Sequence, residues 1–339
     1  MKEIVSIEKV LNSRCSCDFD GDPKKNHWGT FIKDTHPPRK ILEAVLRGCR
    51  RTPQFSNRKT LFWFEEKQLF LGFEKTDDPF DTRLLHIESG MQHEAVYLAC
   101  TALGVGTCIR NLGINGTDYE HQIGTARHQI FENEPNYREG RLTTEPPGPP
   151  KPFTKGGNLP APRRNGEVEC LPALERLSLL YTKGADADET DISQLLWAAK
   201  GRTPHYIKSH AWGLTIPTWG GGQNYTSVYL LKKNKLFRYI NWTTPFIPNW
   251  WMLGRPIHDI KSLRKVNMSS PLDGTNTAII LTRNEETNRA LWEVGYMLEN
   301  MLLQTKSLGV SYRTKVFGKD EIGKLERIGI SEAVATLLL

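Results

Sequence analysis

No run of apolar residues in this 339-residue chain approaches the ~20 needed to cross a bilayer. The first ten residues, MKEIVSIEKV, are too charged for a signal peptide. A cytoplasmic protein without a membrane partner is therefore expected. Cysteine is scarce as well. The six are Cys15, Cys17, Cys49, Cys100, Cys108 and Cys170, and the single Cys-x-Cys has no second pair at zinc-ribbon spacing. Reduced thiols and no metal site follow from that usage. Neither a P-loop ending in Lys-Ser/Thr nor a Rossmann glycine fingerprint is present, and there is no Ser-His-Asp or Cys-His signature of nucleophilic catalysis. Nucleic-acid-binding fingerprints are missing too, so no specific nucleic-acid partner is expected. The charge balance is only mildly one-sided: 45 Lys and Arg against 38 Asp and Glu give +7. A basic surface of that strength suits phosphate-bearing ligands.

What is present is long enough for one large or two medium domains with a sizeable core. "KILEAVLRGC" has apolar residues at Ile41, Leu42, Val45 and Leu46, the spacing of one helix face. "TLFWFEEKQLFLGFE" reads as two strands around a Glu-Lys turn. A helix is predicted from Met91 to Leu103, with Met91, Ala95, Leu98 and Ala102 on one stripe and Gly104 at its C-cap. The stretch Glu145–Gly166 is dense in proline and glycine and reads as an extended linker. Beyond it, "DISQLLWAAKG" is a helix with Asp191 as N-cap and Gly201 as stop. "TSVYLL" and "TAIILT" are strands. A last helix is predicted over 291–308. The boundaries are a lead-in at 1–30, a first half at 31–140, a linker at 141–166 and a second half at 167–339, with an aromatic-rich insertion at about 233–275.

Internal repetition is the most informative feature. "GMQHEAVYLACTALGVG" (90–106) and "GYMLENMLLQTKSLGVS" (295–311) align without a gap. They share the first glycine, a glutamate four residues on, a leucine eight on, and Leu-Gly-Val at the end. Ahead of each lies a helix end, a proline turn at Pro53 or Pro217, and a strand. The interval from Pro53 to Gly90 is 37 residues and that from Pro217 to Gly295 is 78. The aromatic insertion fills most of the surplus. Two α+β halves of one plan look fused.

These pieces resemble the nitroreductase family of flavoproteins. Pro53-Gln-Phe-Ser-Asn57 is similar to that family's Pro-Ser-x-x-Asn turn, and the Gly90 helix ends in "ALGVGTC". In the second half, "SQLLWAAKG", "IPTWGG" and "RALWEVGYMLENMLLQTKSLGV" resemble, in order, the branch that oxidises azoline rings in ribosomal peptides. The resemblance covers about two thirds of the chain. Family members are dimers with FMN at the subunit interface. For this chain the resemblance implies a central sheet flanked by helices in each half, an intramolecular pseudo-dimer and an FMN site between the halves. One such site is expected rather than two, with NAD(P)H as an electron donor.

A flavin needs close backbone approach, cations for its phosphate and donors at the ring edge. Gly220 and Gly221 leave room for that approach, Pro217 fixes the turn, and Thr218 and Trp219 offer a hydroxyl and a ring. In the first half the corresponding candidates are Pro53, Asn57, Gly104, Gly106 and Thr107, where the amides after the helix would be exposed. The family's Arg-Arg-Ser-x-Arg run is only partly matched by Arg176 and Ser178, and its C-terminal Gly-Arg is replaced by "EAVATLLL". Arg51 and Arg202 are the candidate phosphate cations, with Arg50, Arg283 and Arg289 behind them. If a substrate is dehydrogenated, Tyr225, His205 and Tyr206 are candidate bases. Two functions share these features: an FMN-dependent oxidoreductase acting on a small molecule or peptide, and a non-catalytic descendant of the fold that binds a flavin or another ligand.

Overall fold

Two long helices cross at the centre of the computed structural model. The structure describes residues 4–14, 37–58, 60–65, 68–74, 76–112, 118–124, 158–160, 162–207, 211–217, 225–232, 235–240, 251–253, 272 and 274–339. The first part of the chain gives α1 (Ile7–Ser13), α2 (Arg39–Arg50), β1 (Thr60–Glu65), β2 (Gln68–Phe73), α3 (Pro79–Ala102), β3 (Gly106–Leu112) and β4 (Asp118–Gly124). The second gives β5 (Asn158–Leu159), α4 (Cys170–Leu174), β6 (Leu180–Tyr181), α5 (Glu189–Lys200), β7 (Arg202–Ile207), β8 (Ala211–Leu214), β9 (Thr226–Lys232), β10 (Lys235–Ile240) and β11 (Trp251–Leu253). It closes with β12 (Thr277–Arg283), α6 (Asn288–Leu308), β13 (Tyr312–Val316), α7 (Lys319–Glu326) and β14 (Ala333–Leu338).

Local chemistry sets the helix ends. The first long helix, α3, begins three turns before the apolar stripe at Met91, because Asp78 caps it through Asp81 N at 2.8 Å and Pro79 fits its first turn. The N-cap of α5 is Asp188 rather than Asp191. Asp188 accepts from Asp191 N at 2.8 Å and Asp191 accepts from Asp188 N at 3.1 Å, a reciprocal capping box. Both long helices stop at a left-handed glycine, Gly104 with φ +72° and Gly309 with φ +66°. A Cβ at either would meet nothing within 4 Å, so backbone conformation alone selects glycine there.

The lead-in contains a core helix. Ile7, Val10 and Leu11 of α1 are fully buried. Two turns are too short to show a periodicity in the sequence, and tertiary contacts hold this segment instead. Ile7 N donates to Val168 O, and Cys170 N donates to Val5 O. Most of the 141–166 linker lies outside the described residues. Its end is anchored, with Arg163 N and O both bonded to the Gln194 side chain.

The first sheet has the order β1-β2-β4-β3, all antiparallel, with α3 joining β2 to β3. The second is eight-stranded, β5-β11-β10-β9-β12-β14-β13-β6. Inside it, the run β9-β12-β14-β13 repeats the first order, with α6 joining β12 to β13. The difference lies in the first hairpin. Two residues join β1 to β2, whereas residues 233–276 join β9 to β12 and contribute β10 and β11, which extend the sheet beyond β9. A further hairpin, β7–β8, follows α5. The β12 strand is buried on both faces. Ile279 and Leu281 lie in the main core with α6, while Ala278 and Ile280 lie in a second cluster with Phe317, Leu325 and Ile330.

The two long helices meet at their repeated glycines. A Cβ on Gly90 would lie 2.8 Å from Trp292 Cα, and one on Gly295 would lie 2.8 Å from Gly90 Cα. Only a residue without a side chain permits backbones this close. Trp292 Nε1 adds a 3.2 Å hydrogen bond to His86 Nδ1 across the crossing. α3 and α6 are buried on nearly every face over most of their length, not along one stripe. None of the described helices is long and apolar enough to cross a membrane.

Candidate functional site

Helices packed this deeply should be apolar, yet each carries two fully buried glutamates at matched positions. Glu88 and Glu293 lie two residues before the crossing glycine, and Glu94 and Glu299 lie four residues after it. The first pair holds the turns that enter the sheets. Glu88 accepts from Ser56 N at 2.5 Å and Ser56 Oγ at 2.7 Å, which clamps the Pro53–Asn57 turn onto α3. Glu293 accepts from Thr226 Oγ1 at 2.9 Å, at the start of β9, with Lys200 Nζ 3.6 Å away. That ammonium also donates to Thr226 O at 2.9 Å and Oγ1 at 2.8 Å. Burial pushes both carboxyls above their ordinary pKa. Ser56 opposes the shift at Glu88, and Lys200, followed by Thr226, opposes it at Glu293.

An i+4 spacing puts the second pair on the same face as the crossing glycines. Burial raises Glu94 to about 8 against the pull of the nearby Arg14 guanidinium, and it raises Glu299 well above the carboxylate range, with Glu94 adding to that shift. Arg14, at the end of α1, is 2% exposed. Its Nε lies 3.8 Å from Glu94 Oε1 and donates to Thr215 O at 2.9 Å, while Nη2 donates to Leu214 O at 2.8 Å. Asn300 Nδ2 reaches the same Thr215 carbonyl at 3.0 Å. The guanidinium also lies 5.4 Å from the centre of the Tyr97 ring, whose hydroxyl accepts from Ile109 N at 3.1 Å in β3. One buried cation thus links the segment ahead of Pro217 to the strand that begins at Gly106.

The residues expected from the sequence fall into three groups. Pro53 and Asn57 flank the turn clamped by Glu88, Asn57 being exposed. Gly104 is exposed at the end of α3. Gly106 and Thr107 are buried in β3, paired with Gly124 and Ile123. They form part of a sheet rather than an open run of amides, because the chain leaves the glycine cap directly into a ladder. Pro217 is buried beyond the carbonyls that Arg14 holds. Tyr225 is also buried, and its carbonyl accepts from Asn284 N at 2.7 Å. Thr218, Trp219, Gly220 and Gly221 lie outside the described residues, as do the side chains of Arg202, His205 and Tyr206, whose backbone forms β7.

One of the candidate phosphate cations is committed elsewhere. Arg283 pairs with Glu332 at 2.5 Å and Glu286 at 3.4 Å, which removes it from a phosphate role. Arg50 and Arg51 are exposed at the C-terminal end of α2, and neither has an ion-pair partner among the described residues. Sequence reading missed Arg14, Lys200 and the role of the four glutamates. A glutamate at the same offset from Gly90 and from Gly295 was a visible signal, but apolar stripes alone pass over it.

No family model matches the chain, and neither does any curated protein. Solved structures do. A presumed nitroreductase from Anabaena variabilis superposes with a TM-score of 0.54 at 9% identity, covering 80% of this chain and 68% of its own. Another from Thermotoga maritima gives 0.45 at 11%, over 100% and 96%. The E. coli microcin synthetase complex with truncated pro-MccB17 bound gives 0.34 at 12%, over 48% and 67%. The first of these likenesses, at its low identity, speaks for the fold alone, and the chain is an α+β protein with the nitroreductase fold.

Proposed function

We propose that the chain is an FMN-dependent oxidoreductase built as an internal pseudo-dimer of halves 31–140 and 167–339. The observation that carries this reading is the reciprocal close approach of Gly90 and Gly295 between helices that join matching strands. A twofold-like contact of this kind joins two copies of one surface, and fusion in one chain would supply both sides of a cleft that a homodimer builds from two subunits. When bound, FMN supplies hydride transfer at its ring, with NAD(P)H as a donor and a planar small molecule or peptide as substrate.

This chain's residues would frame the ring. The Pro53–Asn57 turn, fixed by Glu88, offers one wall, and the segment ending at Pro217, fixed by Arg14, offers another. Thr52 Oγ1 and Gln92 Oε1 are buried polar atoms with no hydrogen-bond partner among the described residues, and they belong to the Pro53 turn and to the α3 residue that binds Thr60. They are suited to a polar ring edge. Gly104 leaves open space beside its backbone. For the phosphate, Arg51 with Arg50 is the cationic pair available among the described residues.

The commitment of the deeper cations favours a second reading, a ligand-binding descendant without catalysis. Arg14 and Lys200 serve buried carbonyls, and Arg283 pairs with Glu332 at the surface. Colour and reduction separate the two. The purified chain should absorb near ~450 nm with bound flavin, and addition of NADH or NADPH should bleach it. A yellow protein that neither donor reduces would support the binding reading, and a colourless one that takes up no FMN would refute the oxidoreductase and leave a descendant that binds another ligand.

A further inference from the structure

We propose that Arg14, delivered by the N-terminal helix, is a positioning residue for the backbone at Leu214–Pro217. The inference rests on the reading of Pro217 as a wall of the flavin site. Three features carry it. The guanidinium gives two of its donors to consecutive carbonyls, Leu214 O at 2.8 Å and Thr215 O at 2.9 Å. A planar fork can do this where a lysine ammonium, a point charge, cannot span the pair in one plane. The Thr215 carbonyl is then fixed from two elements at once, since Asn300 Nδ2 of α6 donates to it at 3.0 Å. Finally, the cation is held from behind by α3, with Glu94 Oε1 at 3.8 Å and the Tyr97 ring beneath it.

The helix that delivers Arg14 is itself locked. Glu8 Oε1 accepts from Gln304 Nε2 at 2.8 Å and from Ser307 Oγ, both on α6. Ser6 Oγ accepts from Gly166 N at 3.0 Å. The N-terminal helix therefore connects α6, α3 and the end of β8. A surface lead-in would have no reason to bury an arginine at 2% exposure.

Loss of Arg14 alone would also change the surroundings of the buried Glu94 and could unfold the chain, so the test uses a pair of variants. Glu94→Gln removes the titratable carboxyl, and Arg14→Met in that background removes the fork. Three measurements follow: thermal unfolding, amide exchange over residues 211–217, and FMN affinity by fluorescence quenching. The double variant should unfold within a few degrees of Glu94→Gln. Its exchange at 211–217 should quicken while exchange in α3 and α6 stays slow, and its FMN Kd should rise about tenfold, the scale of one charge-assisted hydrogen bond. Arg14→Lys in place of Met should rescue only part of that loss. Unchanged exchange would overturn the proposal, as would a Kd equal to that of Glu94→Gln, because Arg14 would then act only as a neighbour of Glu94. If the parent protein takes up no FMN, the functional reading fails, and the exchange measurement still decides whether Arg14 positions Leu214–Pro217.

Discussion

The two turns that feed the sheets are held by glutamates at the same place on α3 and α6, but by different chemistry. In the first half the clamp on Ser56 uses a hydroxyl and an amide. In the second half Glu293 shares Thr226 with a buried lysine 3.6 Å away. Neutral donors can be lost without stranding a charge, whereas a buried ion pair cannot lose one member cheaply. The second half also sits in the larger sheet, with β12 buried on both faces. The two helices thus hold similar turns by different chemistry, and the one on α6 depends more heavily on a polar interior.

The crossing of α3 and α6 should be among the most sensitive points. Gly90→Ala and Gly295→Ala each place a Cβ against the backbone of the other helix. Each should cost about 3 kcal/mol or more in urea unfolding. The double variant should cost less than the sum, since both changes push apart the same pair of helices. Full additivity would mean that the two glycines act independently.

The contrast between the clamps predicts the next effect. Lys200→Met should destabilise by about 3–5 kcal/mol, because it strands Glu293. Glu88→Gln should cost only about 1–2 kcal/mol, since the amide oxygen still accepts from Ser56. Adding Glu293→Gln to Lys200→Met should recover most of the loss. Equal costs for the two single variants would erase the distinction between the halves.

A third effect depends on pH. Glu94 titrates near 8 in the fold against 4.5 in the unfolded chain. Between those values the folded chain keeps a proton that the unfolded chain has released, so stability falls as pH rises through that window. The charged groups facing the pair are Arg14 from α1 and Glu94 and Glu299 themselves, with Tyr296 of α6, Cys49 of α2 and Cys170 of α4 close by. Glu94→Gln should match the parent near pH 5 and exceed it at pH 8 by on the order of 2–4 kcal/mol. A constant difference across that range would show that Glu94 does not hold a proton in the fold.

The smallest effect tests the equivalence of the helix ends. Gly104→Ala and Gly309→Ala meet open space, so each should cost only the left-handed backbone penalty of about 1–2 kcal/mol. A large difference between the two would mean that one cap has a role beyond turning the chain.

Much of this architecture was legible in the sequence. The repeated helix, its glycine cap, the hairpin at 60–73 and the strands at 226 and 277 are local patterns, set by periodicity and turn chemistry. Residues 233–276, which lie within the longer interval from Pro217 to Gly295, join β9 to β12. What was not legible depends on contacts across more than a hundred residues. α1 looked like a lead-in because seven residues show no period. Nothing near Arg14 in sequence marks Leu214 and Thr215 as its partners. The helix starts were misread where caps, rather than apolar stripes, define them, at Asp78 and Asp188. As for the site, the sequence indicated the Pro53 and Pro217 turns but not the glutamates and cations that hold them.

The most direct measurement of the central claim is an equilibrium titration of the full chain with FMN, followed by fluorescence, with riboflavin as the control. Two fused halves that clasp one flavin should saturate at one FMN per chain, with FMN bound about tenfold more tightly than riboflavin through the phosphate. An absence of saturable FMN uptake would contradict the account.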